Sequence, residues 1–184
     1  GAAFVAFSQG IPYFHAGMDV LRSKSLDRNS FDSGDWFNRL DWTYSDNGFA
    51  AGLPPRPDNG KDWELLRPVL RNANAKPSPA DIAWMRDAFR DLLRIRASTP
   101  LFRLRSADEV QRRLAFRNAG PAQNPLVIAG HLDGSGMAGA FAEVLYLLNV
   151  SPEPQTLVLP DDAGKAYVLH PLQAAGSAAD ARAK

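Results

Sequence analysis

The chain has 184 residues, enough for one medium domain or for parts of two. Its apolar fraction of 45% is that of a folded protein, and a formal charge of +1 gives no global field for nucleic acid or acidic membranes. With no cysteine, disulfides, thiol catalysis and cysteine-bound zinc are excluded, and no apolar run approaches the ~20 residues of a membrane helix.

The first residues, Gly-Ala-Ala-Phe-Val-Ala-Phe-Ser, carry no initiator Met, basic region or cleavage site, so they read as the interior of a longer chain. Residues 2–8 are apolar and read as the end of a helix, stopped by Gly10 and Pro12. Residues 11–15, β-branched and aromatic between glycines, read as a buried strand. Residues 17–60 are crowded with Gly, Pro, Asp, Asn and Ser, yet Phe31, Trp36, Phe37, Leu40, Trp42, Tyr44 and Phe49 give them too much aromatic mass for disorder. An ordered loop layer with one or two helical turns is expected. A short helix is expected over 63–70, ended or kinked by Pro68.

A clear helix follows. Ser78-Pro79-Ala80-Asp81 supplies an N-cap, a first-turn proline and an acid three residues on. Ile82, Met85, Phe89, Leu92 and Leu93 then recur at helical spacing, up to about Arg96. After Pro100 the texture changes. Residues 101–104, 109–117, 125–131, 143–150, 155–159 and 166–170 read as strands separated by Gly-, Pro- and Asp-rich turns, which suggests an antiparallel sandwich. The fold class expected is α/β followed by all-β, with the boundary near residue 100.

Eight acids, Asp19, Asp27, Asp32, Asp35, Asp41, Asp46, Asp58 and Asp62, sit in or beside the long loop. Most are expected to cap turns or face water. Nothing in their spacing fixes any two of them as a catalytic acid–base pair. Asp19 directly follows the expected strand, where it either meets a ligand or anchors the loop. Arg22 and Lys24 could hydrogen-bond ligand hydroxyls or pin the loop's own carboxylates. Trp36 offers an apolar ring face on which a sugar stacks, with Asp35 and Asn38 beside it as acceptor and donor; the other reading is buried scaffold. His15, His131 and His170 are far apart and lack metal-ligand spacing. Gly134-Ser135-Gly136 lacks the Lys of a phosphate loop.

Two blocks are more specific, Arg22-Ser23-Lys24-Ser25 and Ser33-Gly34-Asp35-Trp36-Phe37-Asn38. With the segments at 98–104, 116–121 and 169–171, they resemble the pullulanases and limit dextrinases. These are the starch-debranching members of the α-amylase clan of glycoside hydrolases. The resemblance implies that residues 1–98 are the C-terminal end of a catalytic (β/α)8 TIM barrel: its last strand, a substrate-side loop and its last helix. Residues 99–184 would be an incomplete C-terminal antiparallel β-sandwich. The family often shows two acids where this chain has Met18-Asp19.

By the same resemblance the activity is hydrolysis of α-1,6-glucosidic branch linkages in pullulan, amylopectin or limit dextrins. The family's nucleophile, acid and stabilising acid come from earlier barrel strands, and no His-Asp-Asn segment occurs here, so no catalytic residue is assigned. The substrate-binding set expected is Asp19, Arg22, Lys24, Asp35, Trp36, Asn38, Asp62 and Trp63. The last two lie on the rim where the family places glucan contacts. Partners are an α-glucan and the upstream barrel of the same polypeptide, with neither nucleic acid nor membrane. No cofactor is implied; calcium is compatible with the full-length enzyme, with no site assignable here. The alternative is a non-catalytic α-glucan-binding or purely structural module derived from such an enzyme.

Overall fold

The computed structural model describes residues 1–139 and 141–183. The chain divides into two compact units, Gly1–Phe14 with Asp91–Lys184, and His15–Arg90.

In the first unit, helix α1 (Ala2–Phe7) is short and lacks a side-chain N-cap. Its C-terminal end is held by Arg96, a buried side chain that donates to the carbonyls of Ala6 (2.7 Å), Ser8 (2.8 Å) and Gly10 (2.7 Å). A cation at the carbonyl end of a helix satisfies acceptors that have no backbone donor. Burial pulls the Arg96 pKa below its usual value, and the charge of Arg103 pulls the same way. Gln9 adds a second tie, giving its amide to Leu101 O (2.7 Å) and accepting Leu104 N (3.1 Å).

The expected strand at 11–15 does not form. These residues lie in no helix or strand, with Ile11 93% and Tyr13 88% exposed. A strand exists only against a hydrogen-bonded neighbour, and none of the described strands pairs with this segment.

In the second unit, the loop layer of residues 15–62 contains one-turn helices α2 (Asp35–Asn38) and α3 (Arg56–Asn59), with 3-10 turns at Met18–Val20, Ser30–Asp32 and Gly60–Asp62. Helix α4 (Trp63–Arg71) runs on past Pro68 rather than stopping there. Helix α5 (Pro79–Ala97) starts as the sequence indicates: Asp81 N donates to Ser78 Oγ (3.2 Å), and the Asp81 carboxylate accepts Ser78 N (2.8 Å). Ile82 is fully buried, Met85, Phe89 and Leu92 are half-buried, and Leu93 is exposed while Ile95 takes the buried place.

Beyond Pro100, three strands form among the described residues rather than six. Residues Pro100–Phe102 make a 3-10 turn capped by Thr99. Residues expected to open a strand at 109 make helix α6 (Ala107–Arg113) instead. The reason is local. Ser106 Oγ accepts Glu109 N (3.2 Å) while the Glu109 carboxylate takes Arg105 N (2.9 Å), a reciprocal cap that outweighs the alternation. Strands β1 (Leu114–Phe116), β2 (Val127–Asp133) and β3 (Glu143–Asn149) follow in one antiparallel sheet of order β1-β2-β3. Residues 155–159 and 166–170 pair with no described strand, leaving Val158 and Val168 almost fully exposed. Thus the described residues give a single sheet in a small α/β arrangement, where a two-sheet sandwich was expected. Helix α7 (Pro171–Ala174) closes the chain's regular structure apart from a 3-10 turn at Ala181–Ala183.

The core of this unit is apolar: Ile95, Leu101, Phe102, Leu104 and Leu132 are buried together, with Phe7 and Tyr146 packed on them. The rings of Phe7 and Phe102 lie 5.0 Å apart, and those of Phe102 and Tyr146 6.0 Å. Tyr146 lies across Gly130, its partner on β2; a Cβ there would meet the phenol ring at 2.1 Å, so only glycine admits it.

Candidate functional site

The loop layer is built from side chains that bond to backbone. Asn59, 2% exposed, accepts Arg28 N (3.0 Å) and donates to the Asp27 carboxylate (2.9 Å) and Pro55 O (3.0 Å). Ser25, also buried, donates to Gly52 O (2.5 Å). Asn47 donates to Leu21 O (2.7 Å) and accepts Phe49 N (3.0 Å). Asp41 gathers five donors: the N–H and hydroxyl of Thr43, the N–H and hydroxyl of Ser45, and Asp46 N.

These bonds hold an unusual backbone. Among the described residues, Leu21, Ser25, Leu26, Tyr44 and Ala50 are the non-glycine residues with positive φ, and all five belong to this layer. A left-handed L-residue costs ~1–2 kcal/mol, so such a cluster persists only where the surroundings over-determine it, as functional loops do.

The carboxylates are correspondingly tuned. Burial alone would raise the Asp27 pKa, but hydrogen bonds from Ser33, Asn59 and Asn29 N and the charge of Lys24 leave it below the ordinary value. The bond from Lys76 (2.5 Å), then that from Gly48 N, lowers Asp46. The hydroxyls of Thr43 and Ser45, followed by backbone N–H donors, lower Asp41 far below the usual carboxylate range. Acids this stabilised as anions are turn anchors and poor proton donors.

Of the eight residues expected to bind substrate, the structure joins some directly. Arg22 donates to Asn38 O (2.5 Å), to Asn38 Oδ1 (3.4 Å) and to Ala16 O (3.1 Å). Asn38 in turn donates to Ser30 O (2.7 Å) and Gly34 O (3.0 Å). Lys24 donates to Ser30 Oγ (2.5 Å). Asp35 and Trp36 open α2 on its exposed side. Trp36 is 58% exposed, with the Arg39 guanidinium 5.6 Å from its ring centre. Trp63 is half-buried, donates its indole N–H to Pro54 O (2.8 Å) and carries Arg67 at 5.7 Å. Asp19 and Asp62, both half-buried, make no hydrogen bond or ion pair through their carboxylates among the described residues.

Asn59 was not singled out, yet it ties α3 to residues 27–28. Its signal in the sequence is faint: an Asn four residues after Pro55, in a loop with several.

A second polar cluster lies in the sheet-bearing unit. Donor atoms of His131, Glu143 and Asp162 lie within 4.8 Å of one another, a spacing that could suit a metal. The cluster has its own cations. Lys165 reaches Glu143 (2.8 Å) and Asp162 (3.3 Å), and Arg117 Nε meets Asp162 at 3.0 Å. Tyr167 donates to both carboxylates, and His131 Nε2 lies 3.2 Å from Glu143. The bond from Lys165, with those from His131 and Tyr167, holds Glu143 down at about 2. Burial, then the two carboxylates, raises Tyr167. The arrangement is a charged latch that fastens residues 161–167 to Glu143 on β3 and to Arg117 just beyond β1.

Among the described residues no helix is long and apolar enough to cross a membrane. The loop layer thus combines the hydrogen-bonded carboxylates of Asp27, Asp41 and Asp46 with the open ones of Asp19 and Asp62 and an exposed tryptophan.

Comparison with known proteins places the chain. Residues 44–184 match the family described as alpha-1,6-glucosidases, pullulanase-type, C-terminal, and the chain belongs to it. It is 42% identical over 180 residues to pullulanase 1, chloroplastic, of Arabidopsis thaliana, covering 94% of this chain and 19% of that protein. It is 36% identical over 160 residues to the pullulanase of Klebsiella pneumoniae, covering 84% of this chain and 15% of that one. The crystal structure of Klebsiella pneumoniae pullulanase complexed with maltotriose superposes with a TM-score of 0.75 at 34% identity, covering 83% of this chain and 15% of that one. The chain thus spans under a fifth of the length of the relatives named here.

Proposed function

We propose that this chain is the C-terminal portion of a debranching enzyme that hydrolyses α-1,6-glucosidic linkages in pullulan, amylopectin or limit dextrins. The observation that carries this reading is the pullulanase-type family match over residues 44–184. Residues 1–98 would close the catalytic TIM barrel with its last strand, loop and helix. Residues 99–184 would belong to the following β-sandwich, of which β1–β3 form one sheet. The exposed apolar side chains of Ile11 and Tyr13 support the barrel assignment, because a strand awaiting neighbours leaves such groups uncovered.

In this reading Asp19, Arg22, Lys24, Asp35, Trp36, Asn38, Asp62 and Trp63 form a rim for the glucan, as the maltotriose bound by the Klebsiella enzyme suggests. Trp36 offers its ring face to an apolar sugar face. Asp19 and Asp62 have acceptor oxygens uncommitted among the described residues. Arg22, Lys24 and Asn38 shape the loop that presents them. The chain supplies no catalytic acid: a retaining mechanism needs a nucleophile and a proton donor, and both would come from the upstream barrel.

The test joins this chain to the upstream barrel of its own polypeptide. The joined protein releases reducing ends from pullulan, and this chain alone releases none. Absence of release by the folded joined protein would overturn the assignment, as would turnover at an enzyme-like rate by this chain alone.

A further inference from the structure

The tail of the chain meets the C-terminal half of α5 at two points: His170 bonds to Ser98, and Ala179 N donates to the Asp91 carboxylate (2.9 Å). His170 also caps α7. Its Nδ1 accepts Leu172 N (3.2 Å), one of the N–H groups that a helix start leaves without a backbone acceptor. A ring nitrogen that accepts carries no proton, so the neutral ring holds its proton on Nε2. Nε2 then donates to Ser98 Oγ (2.9 Å), and Ser98 Oγ gives its own hydrogen to Ile95 O (2.8 Å). The pair thus matches a serine nucleophile and its base in distance alone, because Nε2 donates to Ser98 and has no lone pair to take a proton from it.

We propose that His170 is an acid-released clasp: the neutral ring pins α7 to the end of α5, and a proton added at Nδ1 frees residues 170–174. That proton takes the lone pair that holds Leu172 N, so two N–H groups face each other where one bond had been. The surroundings offer the charged ring nothing in exchange. The end of α5 presents the Ser98 hydroxyl, the loop between β2 and β3 presents the Phe141 ring edge-on at 5.5 Å, and α7 presents Leu172 N. The charged side chain bonded on either side of Ser98 is Arg103, which donates to the carbonyls of Ala97 (3.4 Å) and Thr99 (3.5 Å) and is itself a cation. No carboxylate is bonded to the ring among the described residues. Burial accordingly pulls the His170 pKa below its ordinary value of 6.5. The freed segment therefore binds the proton more tightly than the pinned one, so the clasp holds fully above pH 6.5 and loosens as pH falls below it.

The test is an NMR titration of this chain from about pH 8 to about pH 5, following the ring nitrogens of His170 and the backbone amides. At the upper end the ring carries its proton on Nε2. As pH falls below 6.5, the Leu172 amide shifts in step with the ring. Its hydrogen exchange, corrected for the intrinsic rate, quickens by up to about tenfold per pH unit, while the amides of Phe102 and of Asp162–Lys165 stay fixed. His170→Asn keeps a side-chain acceptor for Leu172 N that does not titrate, so in this variant the Leu172 step disappears. A proton on Nδ1 at the upper end overturns the proposal. A Leu172 amide that stays fixed while the ring titrates overturns it too, as does a Leu172 step that survives in folded His170→Asn.

Discussion

The two units are held together by different physics. The sheet-bearing unit has a conventional interior, where Leu101, Phe102 and Leu132 are buried at or below 2% exposure and ring packing joins helix, turn and strand. The loop layer buries little that is apolar besides Val20 and Phe49, and puts Ser25, Ser30, Asn47 and Asn59 inside instead. Hydrophobic burial scales with area and tolerates small shifts, whereas a buried amide works only if each partner is in place. The first suits a scaffold. The second suits a surface whose polar groups must be aimed, and it carries a strained backbone besides.

The largest effects should fall on the apolar unit. Phe102→Ala removes a ring packed against Phe7 and Tyr146 and should cost about 3–5 kcal/mol, read by urea unfolding. A loss under 1 kcal/mol would break the contrast by showing that this core is not what holds the sheet. Next comes Asn59→Ala. It leaves Arg28 N and Pro55 O without their side-chain partner and should cost about 1–3 kcal/mol. Hydrogen exchange should locate the damage at the Arg28 amide. An unchanged Arg28 amide would mean that the polar interior of the layer is ornamental.

How much of this was legible beforehand follows the same divide. Helix α5 was readable because its cap and periodicity are local properties, and β2 and β3 because alternation and flanking turns agree. At 107–113 the Ser106–Glu109 cap overrides the alternation that points to a strand, although both are written in the sequence. The missing strand at 11–15 was not readable, since pairing depends on neighbours that sequence alone does not supply. In the loop layer the aromatic content pointed to order, and the acids to turn anchoring. Which donor each acid holds could not be read, because these bonds join residues up to 32 apart, as between Asp27 and Asn59. Arg96 was hidden for another reason: on a helix rich in exposed arginines, nothing marks the one that turns inward.

A smaller effect distinguishes the charged latch from both interiors. Glu143 and Asp162 have depressed pKa values in the fold, so their stabilisation is present above the ordinary carboxylate value and is lost as pH falls through the folded value. For Glu143 that window runs from 4.5 down to about 2. Amide signals of Asp162–Lys165 should therefore stay fixed at about pH 5 and shift below it, while those of the Phe102 core hold longer. Movement of the segment well above pH 5 would show that the carboxylates are not what fastens it.

The smallest expected change in stability is the most telling. Trp36 is 58% exposed, and its indole N–H has no hydrogen-bond partner among the described residues, so Trp36→Ala should shift the unfolding free energy by no more than about 0.5 kcal/mol. If the layer exists to present this ring, retardation of the chain in pullulan gels should disappear all the same. A large loss of stability with retardation intact would turn Trp36 into scaffold and erase the distinction between the two units. Loss of retardation at unchanged stability would separate what the loop layer is for from what holds it.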